Sequence, residues 1–164
     1  MRSPLLCSTQ KGSKPVNANE SYPFAVVLGT AQDGGIPHAG CQKPCCENVR
    51  SEPSHARLPA CLGLIDPRSQ QRWLLDCTPE FPRQLDRLNQ VSDPEWGLSG
   101  IFLTHAHIGH YTGLIHLGRE VMGTRSTPVY AMPRMTRFLT AHQPWKQLVD
   151  QNNIRLEPLV ADQA

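Results

Sequence analysis

The segment that most constrains this chain lies between residues 98 and 114, where an apolar run leads into three closely spaced histidines. The run LSGIFLT predicts a buried strand. His105 and His107 follow it two residues apart, so in an extended chain their side chains point to the same side. His110 opens a predicted helix, and a turn can direct its ring back towards the pair. Because neutral imidazole is the commonest metal ligand, the segment predicts a metal site.

The alternative interpretation is that these histidines are polar loop residues that lie together by chance. A single histidine usually fits that interpretation. Three of the chain's seven histidines lie within six positions, directly after a strand and before a helix, which does not fit it. The end of a strand in an α/β sheet is also where ligands usually bind. The sequence therefore favours metal binding.

Strand and helix patterns alternate along the rest of the chain, which predicts the α/β fold class. Thr78 is the predicted N-cap of the helix that follows the second strand of a hairpin. The predicted strands cover residues 24–29, 57–66, 71–77, 98–104, 127–132 and 154–160, and the predicted helices cover 78–91, 110–123 and 133–142. The segment 30–46 is rich in glycine and proline and is predicted to be a loop without regular structure.

Length, charge and hydropathy limit the function. A chain of 164 residues is the size of one domain, predicted here at residues 23–164 after a polar, flexible arm of residues 1–22. A net charge of only +2, without basic runs, argues against nucleic acid as a partner. No apolar stretch approaches the roughly 20 residues of a membrane span, so no membrane is predicted as a partner. The predicted location is the cytoplasm, with a secreted or periplasmic protein as the alternative if a signal was trimmed.

Six cysteines are present, and Cys41, Cys45 and Cys46 lie together in the motif CQKPCC. A domain of this size needs no disulfide framework, and thiolates are strong zinc ligands, so the motif predicts a structural zinc site. Such a site needs four donors, and His38, Cys61 or a residue outside the chain could supply the fourth. The alternative is a set of buried cysteines without a ligand.

Several segments resemble the metallo-β-lactamase superfamily. THAHIGHYTGL resembles its H-x-H-x-D-H signature, and WLLDCTPEF resembles its strand that ends in an aspartate before the first helix. VLGTAQDGGIPHAGCQKPCC and GLIHLGREVMGTRSTPVYAMPRMTRFL are similar to the PqqB proteins, the pyrroloquinoline quinone biosynthesis branch. The resemblance implies an αββα sandwich, of which this chain is the N-terminal half, incomplete at its C-terminus.

The resemblance also implies roles for single residues. His105 and His107 match ligands of the superfamily's first metal, and His110 matches a ligand of the second. Asp76 matches an acidic residue that orients ligands or solvent near the metals, so Asp76 and His110 are the predicted catalytic residues. Gly109 stands where the superfamily has an aspartate. The resemblance therefore implies a catalytic zinc site in which another group positions the water or only one metal binds, with one metal as the preferred expectation.

The superfamily draws further ligands from downstream segments. After His110 the chain offers only His116 and His142 as histidines, and both are predicted to lie away from the metal. The 164-residue chain alone is therefore expected to be inactive. Asp33, in the glycine-rich loop, is predicted to cap a turn, with a contact to a ligand as the alternative.

The predicted function is that of a zinc-dependent hydrolase that cleaves an ester, lactone, amide or phosphodiester through a hydroxide on the metal. The alternative is a non-catalytic protein that binds a metal or a small molecule in cofactor biosynthesis or transport. The predicted partner is a small-molecule substrate. A second copy of the chain, or the missing half of the fold, is expected to cover the exposed face of the sheet.

Overall fold

The computed structural model describes residues 22–161, so the predicted N-terminal arm lies outside the described residues apart from Tyr22. The strands are β1 (Phe24–Gly29), β2 (Cys61–Asp66), β3 (Gln71–Leu75), β4 (Gly100–Phe102), β5 (Thr127–Ala131) and β6 (Ile154–Pro158). The helices are α1 (Pro44–Ser51), α2 (Phe81–Val91), α3 (Ile108–Tyr111), α4 (Pro133–Ala141) and α5 (Trp145–Asp150), and 3₁₀ turns cover Pro53–His55, Pro94–Trp96 and Thr112–Leu117. The predicted α/β class is confirmed. Within residues 22–161 no helix has the length and apolar character to cross a membrane.

The six strands form one sheet in which the spatial order equals the order along the chain. β1, β2 and β3 pair antiparallel, and β3, β4, β5 and β6 pair parallel. β1 and β3 are both antiparallel to β2, so β1 runs in the same direction as β3 and the strands after it. The residues that follow β1, β3 and β4 therefore meet at one edge of the sheet, where ligands bind in open α/β sheets.

One face of the sheet packs against the helices and forms the core. Alternate strand residues point to this face, as the period of two requires. The strand and helix residues of the core that are fully or almost fully buried include Leu28, Leu74, Ile101, Val129, Ile154, Leu88, Leu114, Leu117 and Leu139. This packing is the main source of apolar burial and holds the strand ends that carry the site.

The other face carries an apolar stripe that crosses the sheet. The strand register aligns Val27, Leu62, Leu75, Phe102 and Tyr130 in neighbouring strands. Val27 is 60% exposed and Leu62 is 37% exposed, and the rings of Phe102 and Tyr130 stack with centroids 4.5 Å apart. A contiguous apolar surface of this kind marks a contact surface in soluble proteins.

Helix α2 begins later than predicted. Thr78 was the predicted N-cap, but the N-cap is Glu80, and no side chain caps the helix there. The Thr78 hydroxyl instead accepts the Glu80 N–H at 3.1 Å and donates to Gln84 Oε1 at 2.7 Å. The hydroxyl thus closes a turn two residues before the helix, and the prediction of Thr78 as N-cap is wrong.

Two further boundaries differ from the prediction. The segment 30–46 is a loop as far as Lys43, but α1 begins at Pro44 and contains Cys45 and Cys46, because proline fits the first turn of a helix. The helix predicted from about His110 begins at Ile108 and becomes a 3₁₀ turn after one turn. The predicted strand at residues 24–29 and the predicted hairpin are confirmed.

Gly113 allows the histidine-bearing segment to approach the end of β3. Its N–H donates to the carbonyl of Cys77 at 3.0 Å, and the Cys77 N–H donates to the carbonyl of His110 at 2.8 Å. A Cβ at residue 113 would lie 2.0 Å from the carbonyl oxygen of Thr78, far inside contact distance. Only glycine therefore permits this approach without a backbone shift.

Gly113→Ala is expected to push the segment away from β3 and to lower the free energy of unfolding by about 1–3 kcal/mol. Guanidinium denaturation measures the change. Ile115→Ala is the control, because Ile115 lies in the same 3₁₀ turn but is 46% exposed, and its effect should stay below about 1 kcal/mol. Equal midpoints for Gly113→Ala and the unmodified protein would contradict the close approach.

Candidate metal centre

Asp76 follows β3 directly and lies at the centre of the candidate site. Its backbone has φ of +70°, in the left-handed region that aspartate tolerates better than most residues. The Asp76 N–H donates to the carbonyl of Phe102 at 2.7 Å, which ties it to the end of β4. Its side chain is only 9% exposed. The carboxylate is therefore fixed beneath the segment that carries the histidines.

The Asp76 carboxylate orients two of the three histidines. It accepts the Thr104 N–H at 2.9 Å, the Thr104 hydroxyl at 2.8 and 2.9 Å, and Nδ1–H of His110 at 2.7 Å. Because the Thr104 hydroxyl gives its hydrogen to Asp76, its oxygen accepts Nδ1–H of His105, at 2.9 Å. Both histidines are thereby held in the tautomer that leaves Nε2 for a metal.

The rings of the predicted histidines lie next to one another. The ring centroids of His105 and His107 are 4.5 Å apart, and those of His105 and His110 are 4.0 Å apart. His110 is 14% exposed, whereas His107 is 74% exposed, so the centre opens to solvent on the His107 side. Imidazole nitrogens with an open side are the donors that a catalytic zinc site uses, so the residue types suit the ion. Their ligand atoms are not all within 4.8 Å of one another, so binding one ion with all three requires the side chains to move closer together.

Asp33 is a further member of the site, for which a ligand contact was predicted from the sequence only as the alternative. It lies in the loop after β1, and its Oδ1 is 3.1 Å from Nε2 of His110. Its Oδ2 is 3.9 Å from Nδ1 of His107. The Asp33 carboxylate therefore lies against the histidine cluster, which the preferred prediction of a turn cap did not include. The one sequence signal for its role is Gly109, which leaves room in the histidine segment for a group from elsewhere.

The charges of this cluster shift two pKa values. Burial acts to lower the pKa of His110, but the hydrogen bonds and charges of Asp76 and Asp33 outweigh burial and raise the pKa above its ordinary value. Partial desolvation acts to raise the pKa of Asp33, but the hydrogen bond and charge of His110 prevail and lower it. The site therefore keeps a negative carboxylate beside His110, which attracts a cation.

The three predicted cysteine ligands also come together. The sulfur atoms of Cys41, Cys45 and Cys46 lie within 4.8 Å of one another. Within residues 22–161 they are the only three histidine, cysteine or acidic residues whose ligand atoms are all this close. The sulfur of Cys46 accepts the backbone N–H of His38 at 3.4 Å, and Cys46 is 4% exposed. Three clustered thiols fit a zinc ion, which prefers sulfur donors in structural sites.

Neither predicted candidate for a fourth ligand belongs to this cysteine group. The ring of His38 packs over Gly34, and its Nδ1 is 3.1 Å from the carbonyl of Ala39. Cys61 opens β2, and its thiol donates to the carbonyl of Asp76 at 3.6 Å. Burial, with the charge of Asp76, raises the pKa of Cys61 to about 12, so it remains a thiol.

The two downstream histidines lie outside the centre. The ring of His116 stacks on Phe81, with centroids 6.1 Å apart. The ring of His142 lies against Phe138, with centroids 4.8 Å apart. Both contacts are packing contacts, in agreement with the expectation that these side chains face elsewhere.

Comparison with known proteins matches residues 71–164 to a family model described as a beta-lactamase superfamily domain. The coenzyme PQQ synthesis protein B of Methylobacterium radiotolerans is 32% identical over 98 residues, which are 56% of this chain and 32% of that protein. A protein of Porphyromonas gingivalis named octanoyltransferase is 33% identical over 106 residues, which are 65% of this chain and 20% of that protein. The chain spans less than half the length of these curated relatives.

The fold matches that of a solved zinc-bound PqqB from Methylobacterium extorquens. The TM-score is 0.71 at 19% sequence identity, and the match covers 85% of this chain and 50% of that one. The six-stranded sheet with its helices thus corresponds to about half of that larger structure. The predicted fold, half of a metallo-β-lactamase-type sandwich, is confirmed.

Proposed function

The chain belongs to the beta-lactamase superfamily, in its PqqB-like part, and on this premise we propose that it forms part of a zinc-dependent hydrolase. The observation that carries the proposal is the arrangement of hydrogen bonds around Asp76. One buried carboxylate holds Nδ1 of His110 directly and Nδ1 of His105 through Thr104. A histidine whose second nitrogen is held by a carboxylate is the usual partner of a protein-bound metal.

The protein residues have separate roles in this proposal. His105, His107 and His110 hold the zinc, and Asp76 orients the rings without touching the ion. A bound zinc ion polarises water and substrate and makes water a nucleophile near neutral pH. His107 is exposed, so the substrate approaches from its side. The proposed substrate is a small molecule with an ester, lactone, amide or phosphodiester bond.

The cysteine triad is proposed to hold a second, structural zinc. Its sulfur atoms lie at the start of α1 and in the loop before it, so an ion there fastens the glycine-rich loop to the helix. The cysteines among residues 22–161 are free. Free thiols persist in a reducing compartment, which supports a cytoplasmic location.

A partner is proposed for the apolar stripe. The face that carries Val27 and Leu62 exposes apolar side chains in a row across the sheet. In a sandwich fold this face packs against a second sheet. We propose that a second sheet, from a further half of the fold or from another copy of the chain, covers it.

Zinc stoichiometry tests the metal assignment. After zinc loading and dialysis, His105→Ala is expected to lose the ion of the histidine centre and to keep the ion of the cysteine triad. Cys46→Ser is expected to show the reverse pattern. Cobalt substitution separates the two sites, because only the triad gives sulfur-to-metal charge-transfer absorption. Equal stoichiometry in His105→Ala and the unmodified protein would contradict a metal centre at these histidines.

An assay of hydrolytic activity tests the proposed reaction. Because the 164-residue chain alone is expected to be inactive, the assay uses the protein in which the proposed second sheet covers the apolar stripe. Hydrolysis of chromogenic esters, lactones, amides and phosphodiesters is measured before and after chelation, and again after zinc is added back. Activity that is lost with the chelator, restored by zinc and absent in His105→Ala supports a hydrolase. Hydrolysis that persists in His105→Ala contradicts it.

A second candidate function is metal or small-molecule binding without catalysis, in cofactor biosynthesis or transport. The observation that favours it is the wider spacing of the histidine donors. Among the described residues, only the cysteine triad has three ligand atoms that lie within 4.8 Å of one another. Zinc binding at both sites, with no turnover of any substrate class by the protein in which a second sheet covers the apolar stripe, would select this candidate.

A further inference from the structure

Asp33 fills the space that a side chain at residue 109 would need. A Cβ built on Gly109 would lie 2.3 Å from Cβ of Asp33 and 2.7 Å from its Cγ. It would also lie 2.4 Å from the Cα of Asp33. No side chain fits at residue 109 while Asp33 is in place. The Asp33 carboxylate therefore begins where the side chain of an aspartate at residue 109 would begin.

The Asp33 carboxylate also lies at a suitable distance from a histidine donor. Its Oδ1 is 3.1 Å from Nε2 of His110. Zinc holds nitrogen and oxygen ligands at about 2.0–2.2 Å, so two ligands of one ion lie roughly 2.8–3.5 Å apart at angles between 90° and the tetrahedral value. A zinc ion can therefore replace the hydrogen between these two atoms with little movement of either residue.

The surroundings direct His110 towards Asp33. Nδ1 of His110 is taken by Asp76 at 2.7 Å, so only Nε2 is free for a metal, and Nε2 faces Asp33. Asp76 is 9% exposed, whereas Asp33 is 47% exposed. The two carboxylates thus differ in role, because the buried one holds the ring and the exposed one is accessible to a cation and its water.

We propose that Asp33 is a ligand of the divalent cation bound at His110 and supplies, from the loop after β1, the carboxylate that Gly109 lacks. The inference rests on the proposed function, since it assumes that the histidines bind a metal. It changes the expectation drawn from Gly109 alone, because the centre keeps an anionic donor. The donor comes from a different element of the fold.

Asp33→Asn tests the proposal through metal affinity. The variant keeps the size of the side chain and removes its charge, and zinc at the histidine centre is expected to bind at least about 10-fold more weakly. Asp86→Asn is the matched control, since Asp86 is an exposed carboxylate on α2. It should leave both zinc sites unchanged. Competition with a chromophoric chelator measures both affinities.

Three results are distinguishable. Weakened zinc in Asp33→Asn, with normal zinc in Asp86→Asn, supports the proposal. Normal zinc in Asp33→Asn together with loss of zinc in His105→Ala overturns the role of Asp33 and leaves the proposed metal centre intact. Normal zinc in both Asp33→Asn and His105→Ala overturns the metal centre and this inference with it.

A second pair of variants separates ligation from a structural effect. Asp33→Cys places a thiol where the carboxylate lies, and Asp33→Ser is its near-isosteric partner with a weaker donor. With cobalt at the histidine centre, Asp33→Cys is expected to add sulfur-to-metal charge-transfer absorption beyond that of the cysteine triad, and Asp33→Ser is expected to add none. Identical spectra for the two variants would overturn the assignment of Asp33 as a ligand.

Discussion

Asp76→Ala is expected to abolish zinc binding at the histidine centre and to lower the free energy of unfolding of the metal-free protein by about 3–5 kcal/mol. The substitution removes the acceptor of the Thr104 N–H, the Thr104 hydroxyl and Nδ1 of His110. These donors lie around a side chain that is 9% exposed, where water replaces the lost acceptor poorly. The backbone at φ of +70° adds strain, because alanine tolerates that region less well than aspartate.

The matched variant is Asp76→Asn. Asparagine tolerates the left-handed backbone, and its Oδ1 still accepts from Thr104, but an amide nitrogen in place of Oδ2 cannot accept Nδ1–H of His110. We expect the free energy of unfolding of Asp76→Asn to lie between those of Asp76→Ala and the unmodified protein, with zinc affinity reduced about 10–100-fold. Guanidinium denaturation and zinc competition measure the two quantities. Zinc affinity in Asp76→Ala equal to that of the unmodified protein would refute the orienting role.

Arg72→Ala is expected to cost about 2–4 kcal/mol in the free energy of unfolding, because it removes a buried side chain and the donor of one buried and three partly buried acceptors. Arg72 lies in β3 and is 2% exposed. Its Nε donates to the carbonyl of Gly97 at 2.8 Å, and Nη2 donates to the carbonyl of Pro94 at 3.2 Å. Its Nη1 donates to Asn89 Oδ1 at 2.8 Å and to the Ser92 hydroxyl at 3.2 Å. The Arg72 guanidinium thus holds the segment between α2 and β4 in place through hydrogen bonds.

Two controls accompany Arg72→Ala. Arg83→Ala removes an exposed arginine that pairs with Glu80 at 3.3 Å, and such surface pairs contribute about 0–1 kcal/mol. Arg72→Lys keeps the positive charge, but a single ammonium cannot reach all the acceptors of the planar guanidinium, so most of the loss should remain. Chemical denaturation of the metal-free variants gives the comparison. Equal midpoints for Arg72→Ala and Arg83→Ala would contradict the structural role of Arg72.

Local patterns in the sequence predicted much of the fold. The strand at residues 24–29 and the helix opened by Pro133 follow from short apolar runs and a proline at the first helical turn. His105, His107 and His110 could be predicted as one cluster because six residues of chain bring them to one strand end. Patterns of this kind depend only on neighbours in the chain.

The parts of the site and the core that the sequence did not predict depend on contacts between residues that are far apart in the chain. Asp33 and His110 are 77 positions apart, and their contact requires both the β1–β2–β3 pairing and the missing side chain of Gly109. Nothing in the loop sequence around Asp33 indicates that approach. Arg72 is different, because the period of two places it on the same face as the buried Leu74. That signal was present, but a buried arginine is rare enough that the pattern alone does not identify it.

The order of the strands also bears on how the protein reaches its native state during synthesis. Each strand pairs with the next one along the chain, from β1 to β6, so most sheet contacts join neighbouring segments. A pairing between neighbouring strands closes a shorter loop than a pairing between distant ones, so it costs less chain entropy. Asp33, Asp76 and the three histidines all precede β5. We therefore expect all of these residues to leave the ribosome before the last two strands of the sheet.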